Sequence, residues 1–240
     1  VVLYKAPLSS QLTNRDSVSA CGRSAPTKAE AERPGRAARS FLRDMVMSHE
    51  SAKVILQAAA DSFQSLPMLA PMVDATASLI IARLRQGGKV LFCGNGGSAA
   101  DAQHLASELV GKFHLIREPL SAIAITVDTS ALTAIANDFG YGEVFVRQLR
   151  GLGRRGDVLV ALSTSGRSEN VLRCLETARA MGIATVGLTG RSAGTMKDLC
   201  DLCLCAPANT TARIQEMHIA LGHTICEIVE SAFSGDGPHV

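Results

Sequence analysis

The chain has 240 residues, 47% hydrophobic and 19% charged, with 24 Lys+Arg against 22 Asp+Glu. Those proportions suit one sizeable core or at most two domains, and they exclude a disordered chain. With a net charge of +2, an electrostatic case for nucleic acid cannot rest on totals, and no tryptophan with 4% aromatics makes a base-stacking platform hard to build.

Residues 1–40 read as a flexible, basic N-terminal extension, and residues 41–240 as the folded domain. The extension carries seven Lys/Arg and three acids, is rich in Ser, Ala, Arg and Pro, and shows no repeating apolar face. A processed leader, a transit peptide or a nucleic-acid arm are the other readings of such a segment. The remaining 200 residues are net −2 and hold most of the aliphatic periodicity. Their longer apolar runs break at charges or glycines before about 18 residues, which predicts no membrane-spanning helix. Seven cysteines in no regular framework and no secretory signal point to reduced thiols in the cytoplasm.

Apolar residues at threes and fours predict helices over 41–64 and 68–86, the second ended by Gly87-Gly88. The pattern then changes to five short aliphatic runs, 89–94, 121–126, 157–162, 183–188 and 201–206, separated by helical stretches. Strands buried on both faces look like this. The expected fold is α/β: a five-stranded parallel sheet flanked by helices on both faces, closed by a helix over about 211–232.

Ligands of an open parallel sheet bind at the carboxyl ends of its strands. After the first strand, Asn95-Gly96-Gly97-Ser98 lets backbone approach a ligand, and Ser98 with Asp101 reads as an acidic helix start. Neither the dinucleotide fingerprint nor a Walker loop can be spelled there. After the third strand, Ser163-Thr164-Ser165-Gly166-Arg167-Ser168 gathers four hydroxyls at the N-terminus of a helix running from Glu169 to Met181. Unpaired N–H groups and the helix dipole favour an anion there, and a phosphate monoester fits better than a capped turn.

The next helix-borne groups are His104 and Glu108, four residues apart on one face and able to share a metal or a substrate. The last helix adds Gln215, His218 and His223, with His218 read as structural. Gln215 and His223 stand ~12 Å apart along a straight helix, so one ion takes both only if the side chains lean together or different subunits contribute them. Any one such pair is more often a surface ion pair than a metal site. Cys200, Cys203 and Cys205 lack a partner pair at zinc-ribbon spacing and read as buried thiols acting as small hydrophobes.

In combination, Gly94–Ser98, Gln103–Leu109, Ala134–Phe139, Gly156–Leu159, Ser163–Ser168 and Ala212–His218 with His223 resemble the sugar isomerase (SIS) domain family from about Met45 to Glu230. The resemblance implies an aldose-ketose isomerase that converts D-sedoheptulose 7-phosphate to D-glycero-D-manno-heptose 7-phosphate, for bacterial surface heptose. It implies a cytoplasmic homotetramer, packed through its N-terminal helices, with active sites between subunits.

Carried over by position, Glu108 is the base and His223 the acid. His104, Glu108, Gln215 and His223 hold one Zn2+. Asn95, Gly96, Gly97, Glu108, Asn137, Asp138 and Gln215 contact the sugar, and Ser163, Thr164, Ser165 and Ser168 take the phosphate. Asp128 is a weaker candidate for the sugar hydroxyls. Two residues depart from the family pattern, Arg167 in the phosphate loop and Lys112 after the Glu-Leu-x-Gly run. Each keeps or adds positive charge near an anion. The rival readings are a non-catalytic relative that binds the replication initiator, which should lack Glu108 and His223, and another phosphosugar isomerase or sensor.

Overall fold

Alternate residues of each central strand feed two different cores. Val90, Phe92, Val158, Val160, Leu162, Val186 and Leu188 point to one face of the sheet, while Leu91, Cys93, Leu159 and Ala161 point to the other. A parallel sheet sandwiched between helix layers needs this two-sided burial, and it makes such strands nearly continuous aliphatic runs. The computed structural model describes residues 51–234, and the segment 1–40 read as an extension lies outside them. Apart from Ser51 and Ala52, these belong to one unit, Lys53–Val240.

The strands are β1 (Val90–Gly94), β2 (Ala122–Ala124), β3 (Val158–Ser163), β4 (Ala184–Gly190) and β5 (Leu202–Ala206), all parallel, in the order β2-β1-β3-β4-β5. Each falls within two residues of its expected bounds; β2 stops at Ala124, two residues short, and β4 runs two residues further, to Gly190. Ile125 still donates its N–H to the Phe92 carbonyl at 2.9 Å, and a turn then takes the chain away from the edge.

The helices are α1 (51–63 as described), α2 (Ala70–Arg85), α3 (Gly97–Val110), α4 (Thr129–Phe139), α5 (Val144–Leu152), α6 (Glu169–Ala180) and α7 (Thr211–Phe233). A 3-10 turn over Leu66–Leu69, with Pro67 in it, separates α1 from α2. Val73, Ala77 and Ile80 of α2, Ala102, Leu105 and Leu109 of α3, and Leu221, Ile225 and Val229 of α7 cover the first face. Val144, Phe145 and Leu149 of α5 and Val171, Cys174, Leu175 and Ala178 of α6 cover the second.

Contrary to the reading of the sequence, Ser51–Arg85 is long and apolar enough to cross a membrane by length and composition alone. The physical use of its α2 part is different, because the stripe Val73, Ala77 and Ile80 is spent on the core. On α1, Val54, Ile55 and Leu56 stay at least 60% exposed. The cysteine reading also needs correcting. Cys93, Cys174 and Cys226 are buried, but Cys200, Cys203 and Cys205 are only half-buried, the last two because they lie on β5, the edge strand of the sheet. All six are free thiols; burial pushes Cys205 up to about 11, which keeps it protonated and a poor metal ligand.

Candidate active site and metal centre

Strand order reverses between β1 and β3, and in an open parallel sheet the loops leaving the carboxyl ends of such a pair are where ligands bind. Asn95 follows β1. Its side chain exchanges two hydrogen bonds with the amide of Asn170 on α6, Asn95 Nδ2 to Asn170 Oδ1 at 2.8 Å and Asn170 Nδ2 to Asn95 Oδ1 at 2.9 Å. The Tyr141 hydroxyl donates to the same Asn95 oxygen at 3.1 Å. This lattice locks the Asn-Gly-Gly-Ser loop to the start of the helix behind the serine loop.

The turn itself depends on glycine. Gly96 has φ 57 and ψ −122, which a side chain rarely adopts, and it is the N-cap of α3. Ser98 is therefore inside the helix, not at its start. Asp101 caps nothing: one carboxylate oxygen is buried without a partner, and burial raises its pKa, with His104 offsetting part of the shift. A Cβ on Gly97 would collide with the amide of Gln215, so the absent side chain seats Gln215 over the first turn of α3.

In the serine loop, Ser168 stands at the N-cap of α6 but its hydroxyl makes no capping bond. It lies 3.1 Å from the Ser163 hydroxyl, so both oxygens face the same place and stay available to an anion above the helix N-terminus. Gly166, at φ 62, turns the loop, and the Arg167 N–H is held by the Ser165 hydroxyl at 3.2 Å. A cleft of about 300 Å³ opens beside Thr164 and Ser165, with Arg191 and Asn209 on its far wall.

The acid–base candidates lie further along α3. His104 and Glu108 share one face at i and i+4, with His104 Nε2 3.3 Å from Glu108 Oε1. Across the helix pair, His104 Nε2 lies 2.8 Å from His223 Nε2 of α7, 119 residues away in the chain. Close packing makes this possible: a Cβ on Gly222 would stand 2.5 Å from Leu105 Cδ2, so only glycine lets α7 approach α3 so nearly.

His104, Glu108 and His223 place one ligand atom each within 4.8 Å of one another. Burial lowers the pKa of His223, and His104 lowers it further, against an opposing pull from Glu108. A neutral imidazole is the form that ligates metal. Two imidazole nitrogens and one carboxylate oxygen converging on one point fit a divalent ion of borderline softness.

The other expected site residues are distributed differently. Asn137 and Asp138 are exposed at the end of α4, where Asn137 Nδ2 donates to Asp138 Oδ1 at 2.8 Å. Asp128 is the N-cap of α4 and accepts from the Ala131 N–H at 2.9 Å, which uses the carboxylate locally. Lys112 and Arg167 are exposed. His218 is fully buried, in keeping with a structural role. Asn170, Tyr141, Arg117 and Glu230 escaped the reading of the sequence. Asn170 sits just past the serine run, where an amide two residues into a helix carries no signal of its partner.

An open parallel sheet with a serine-lined loop at its switch point, and a His-Glu-His cluster on two packed helices, is an α/β domain with polar groups gathered at the ends where such a sheet binds ligands. The SIS domain family matches residues 55–190, and the chain belongs to that family. Among curated relatives, the phosphoheptose isomerase of Akkermansia muciniphila is 53% identical over 176 residues, 73% of this chain and 93% of the relative. That of Rhodospirillum rubrum is 52% identical over 183 residues, 76% and 97% of the two chains. The solved phosphoheptose isomerase of Neisseria gonorrhoeae superposes with a TM-score of 0.72 at 42% identity, covering 76% of this chain and 98% of that one.

Proposed function

We propose that this chain is an aldose-ketose isomerase that interconverts D-sedoheptulose 7-phosphate and D-glycero-D-manno-heptose 7-phosphate. The observation that carries the reading is the meeting of Glu108, His104 and His223 on two helices of one chain, in a protein about half identical to named phosphoheptose isomerases.

Moving a carbonyl between C2 and C1 requires a proton to leave the carbon beside it and an oxygen to be protonated in turn. Glu108 is the base that takes the carbon-bound proton and returns it to the neighbouring carbon. His223, kept neutral by burial and by His104, offers a ring N–H to the carbonyl oxygen on which charge develops, as an imidazole of lowered pKa can, and takes a proton back from the neighbouring hydroxyl oxygen as that becomes the new carbonyl. His104, Glu108 and His223 would hold a metal ion, proposed to be Zn2+, which when bound supplies Lewis-acid polarisation of the carbonyl. Gln215, seated beside Gly97, serves the sugar side of the site and is the fourth ligand in the family reading. Asn95, Gly96 and Gly97 line the sugar, and Asn137 and Asp138 are proposed to reach it from α4. Ser163, Thr164, Ser165 and Ser168 hold the phosphate, which is not itself altered; its binding orients the reacting carbons.

Glu108 lies about three helical turns, ~16 Å, down α3 from Gly97. That separation favours active sites assembled between subunits, the phosphate loop of one facing the acid–base pair of another. The exposed Val54, Ile55 and Leu56 of α1 are apolar surface suited to packing in a homotetramer. The cytoplasm is the proposed location.

The deciding experiment supplies zinc and sedoheptulose 7-phosphate to the purified protein and follows heptose 7-phosphate. Glu108→Gln should abolish turnover and leave phosphosugar binding intact. An inactive wild type with metal loaded would point instead to a non-catalytic binding relative.

A further inference from the structure

The last carbonyls of a helix have no partner within it, and at the end of α3 one side chain collects them. Arg117 Nη2 donates to the Glu108 carbonyl at 2.9 Å. Its Nη1 donates to the carbonyls of Leu109 at 2.9 Å, Glu118 at 3.0 Å and Gly111 at 3.3 Å. The guanidinium is therefore fastened to the backbone of the very residue proposed as base. Its side chain is only 1% exposed.

The counter-charge comes from α7. Glu230, two turns beyond His223, is buried and accepts the N–H groups of Phe113 at 2.8 Å, His114 at 2.6 Å and Leu115 at 2.9 Å. Its Oε1 also lies 3.4 Å from Arg117 Nε, a Coulombic contact, since that N–H makes no hydrogen bond. Burial pushes the Glu230 carboxyl up, but three backbone donors and Arg117 together outweigh it and hold it below the ordinary carboxylate range. The loop held in this way carries Phe113, whose ring centroid is 5.4 Å from that of His223.

We infer that Arg117 and Glu230 are positioning residues for the acid–base and metal-holding cluster. One end of the clasp grips Glu108 through its own carbonyl, the other sets Phe113 against His223, and the charge pair joins α3 to α7. Neither residue touches the reacting atoms. The inference rests on the isomerase reading for its kinetic consequence, but its geometric consequence, the spacing of three ligand atoms, does not. A buried charge pair is a costly way to gain stability alone, whereas a bidentate fork and a multi-acceptor carboxylate fix geometry well.

The test compares wild type with Arg117→Lys, Arg117→Met and Glu230→Gln, each read at a temperature where melting shows it folded. Co2+ is titrated into metal-free protein and followed by its visible absorption, and kcat and KM for sedoheptulose 7-phosphate are measured separately. Arg117→Met and Glu230→Gln should weaken Co2+ binding by ~10-fold or more, alter the Co2+ spectrum, and lower kcat by a similar factor with KM nearly unchanged, the scale seen when groups behind metal ligands are removed. Arg117→Lys, which keeps the charge but cannot span four carbonyls, should recover only part of this. Folded variants with wild-type Co2+ affinity, spectrum and kcat would overturn the proposal. So would failure of all three to fold, which would leave the pair a purely structural clasp. If wild type itself does not turn over the sugar, the isomerase reading falls while the Co2+ titration still decides the positioning role.

Discussion

Replacing His218 with methionine, a side chain of similar volume that adapts to irregular gaps, should flatten the dependence of stability on acid. His218 is completely buried on α7, and burial drives its pKa down to about 4; the Thr189 main chain lies close enough to the ring to offset a little of this, although neither ring nitrogen makes a hydrogen bond of good geometry. In the unfolded chain the same ring titrates near the usual 6.5. Above that pH both states are neutral and the residue contributes no pH dependence. As pH falls from 6.5 towards 4 the unfolded chain takes a proton that the folded ring refuses, so folding stability is lost through this window and no further below it. The loss reaches ~2 kcal/mol at pH 5 and approaches ~3 kcal/mol near pH 4. Urea unfolding of wild type and His218→Met at pH 7, 6 and 5 isolates the contribution, because the other titrating groups are common to both proteins. Parallel stability profiles, or an NMR titration placing the His218 ring near 6.5 in the native state, would refute the reasoning.

The remaining predictions concern the cluster and the anion loop. Gly222→Ala puts a Cβ 2.5 Å from Leu105 Cδ2; overpacking of this kind costs ~1–3 kcal/mol, and by widening the gap between α3 and α7 it should weaken Co2+ binding, whereas unchanged affinity would show that the helix approach does not set the ligand spacing. Ser168→Asp puts a negative charge in place of a hydroxyl that lies 3.1 Å from that of Ser163 and should raise KM by ~10-fold or more with a smaller effect on kcat, as loss of uniform binding does; an unchanged KM would remove Ser168 from the phosphate site. Dialysis against a chelator should stop turnover and added zinc should restore it, so full activity in metal-free protein would dismiss the ion from the mechanism. At low pH, Glu230, with its folded pKa depressed, should contribute stability that is present above the ordinary carboxyl value and lost as pH falls through the lowered one; Glu230→Gln should lack that acid-sensitive component in the same unfolding experiment.

Much of the fold was legible because its signals are local. Strands buried on both faces and helices with an apolar stripe each declare themselves within one stretch of chain, which is why all five strands and the long closing helix fall close to their expected positions. The two glycine-and-serine loops were legible as loops, since each is a contiguous segment running into the start of a helix. Asp101 misled for the same local reason: its spacing from Ser98 spells a helix start, but Gly96 at positive φ begins the helix two residues earlier.

What the amino-acid order determined by itself was therefore each element, its buried faces and the chemistry offered at its ends. The tertiary structure alone decided the sheet order that puts β1 beside β3, the amide exchange between Asn95 and Asn170, and the grip of Arg117 and Glu230 on the end of α3. It also decided that His104 and His223 touch across 119 residues. Such contacts depend on how two helices pack over a sheet, and that distance is set by a missing Cβ at Gly222 and the side chains opposite it, which no periodicity along the chain records.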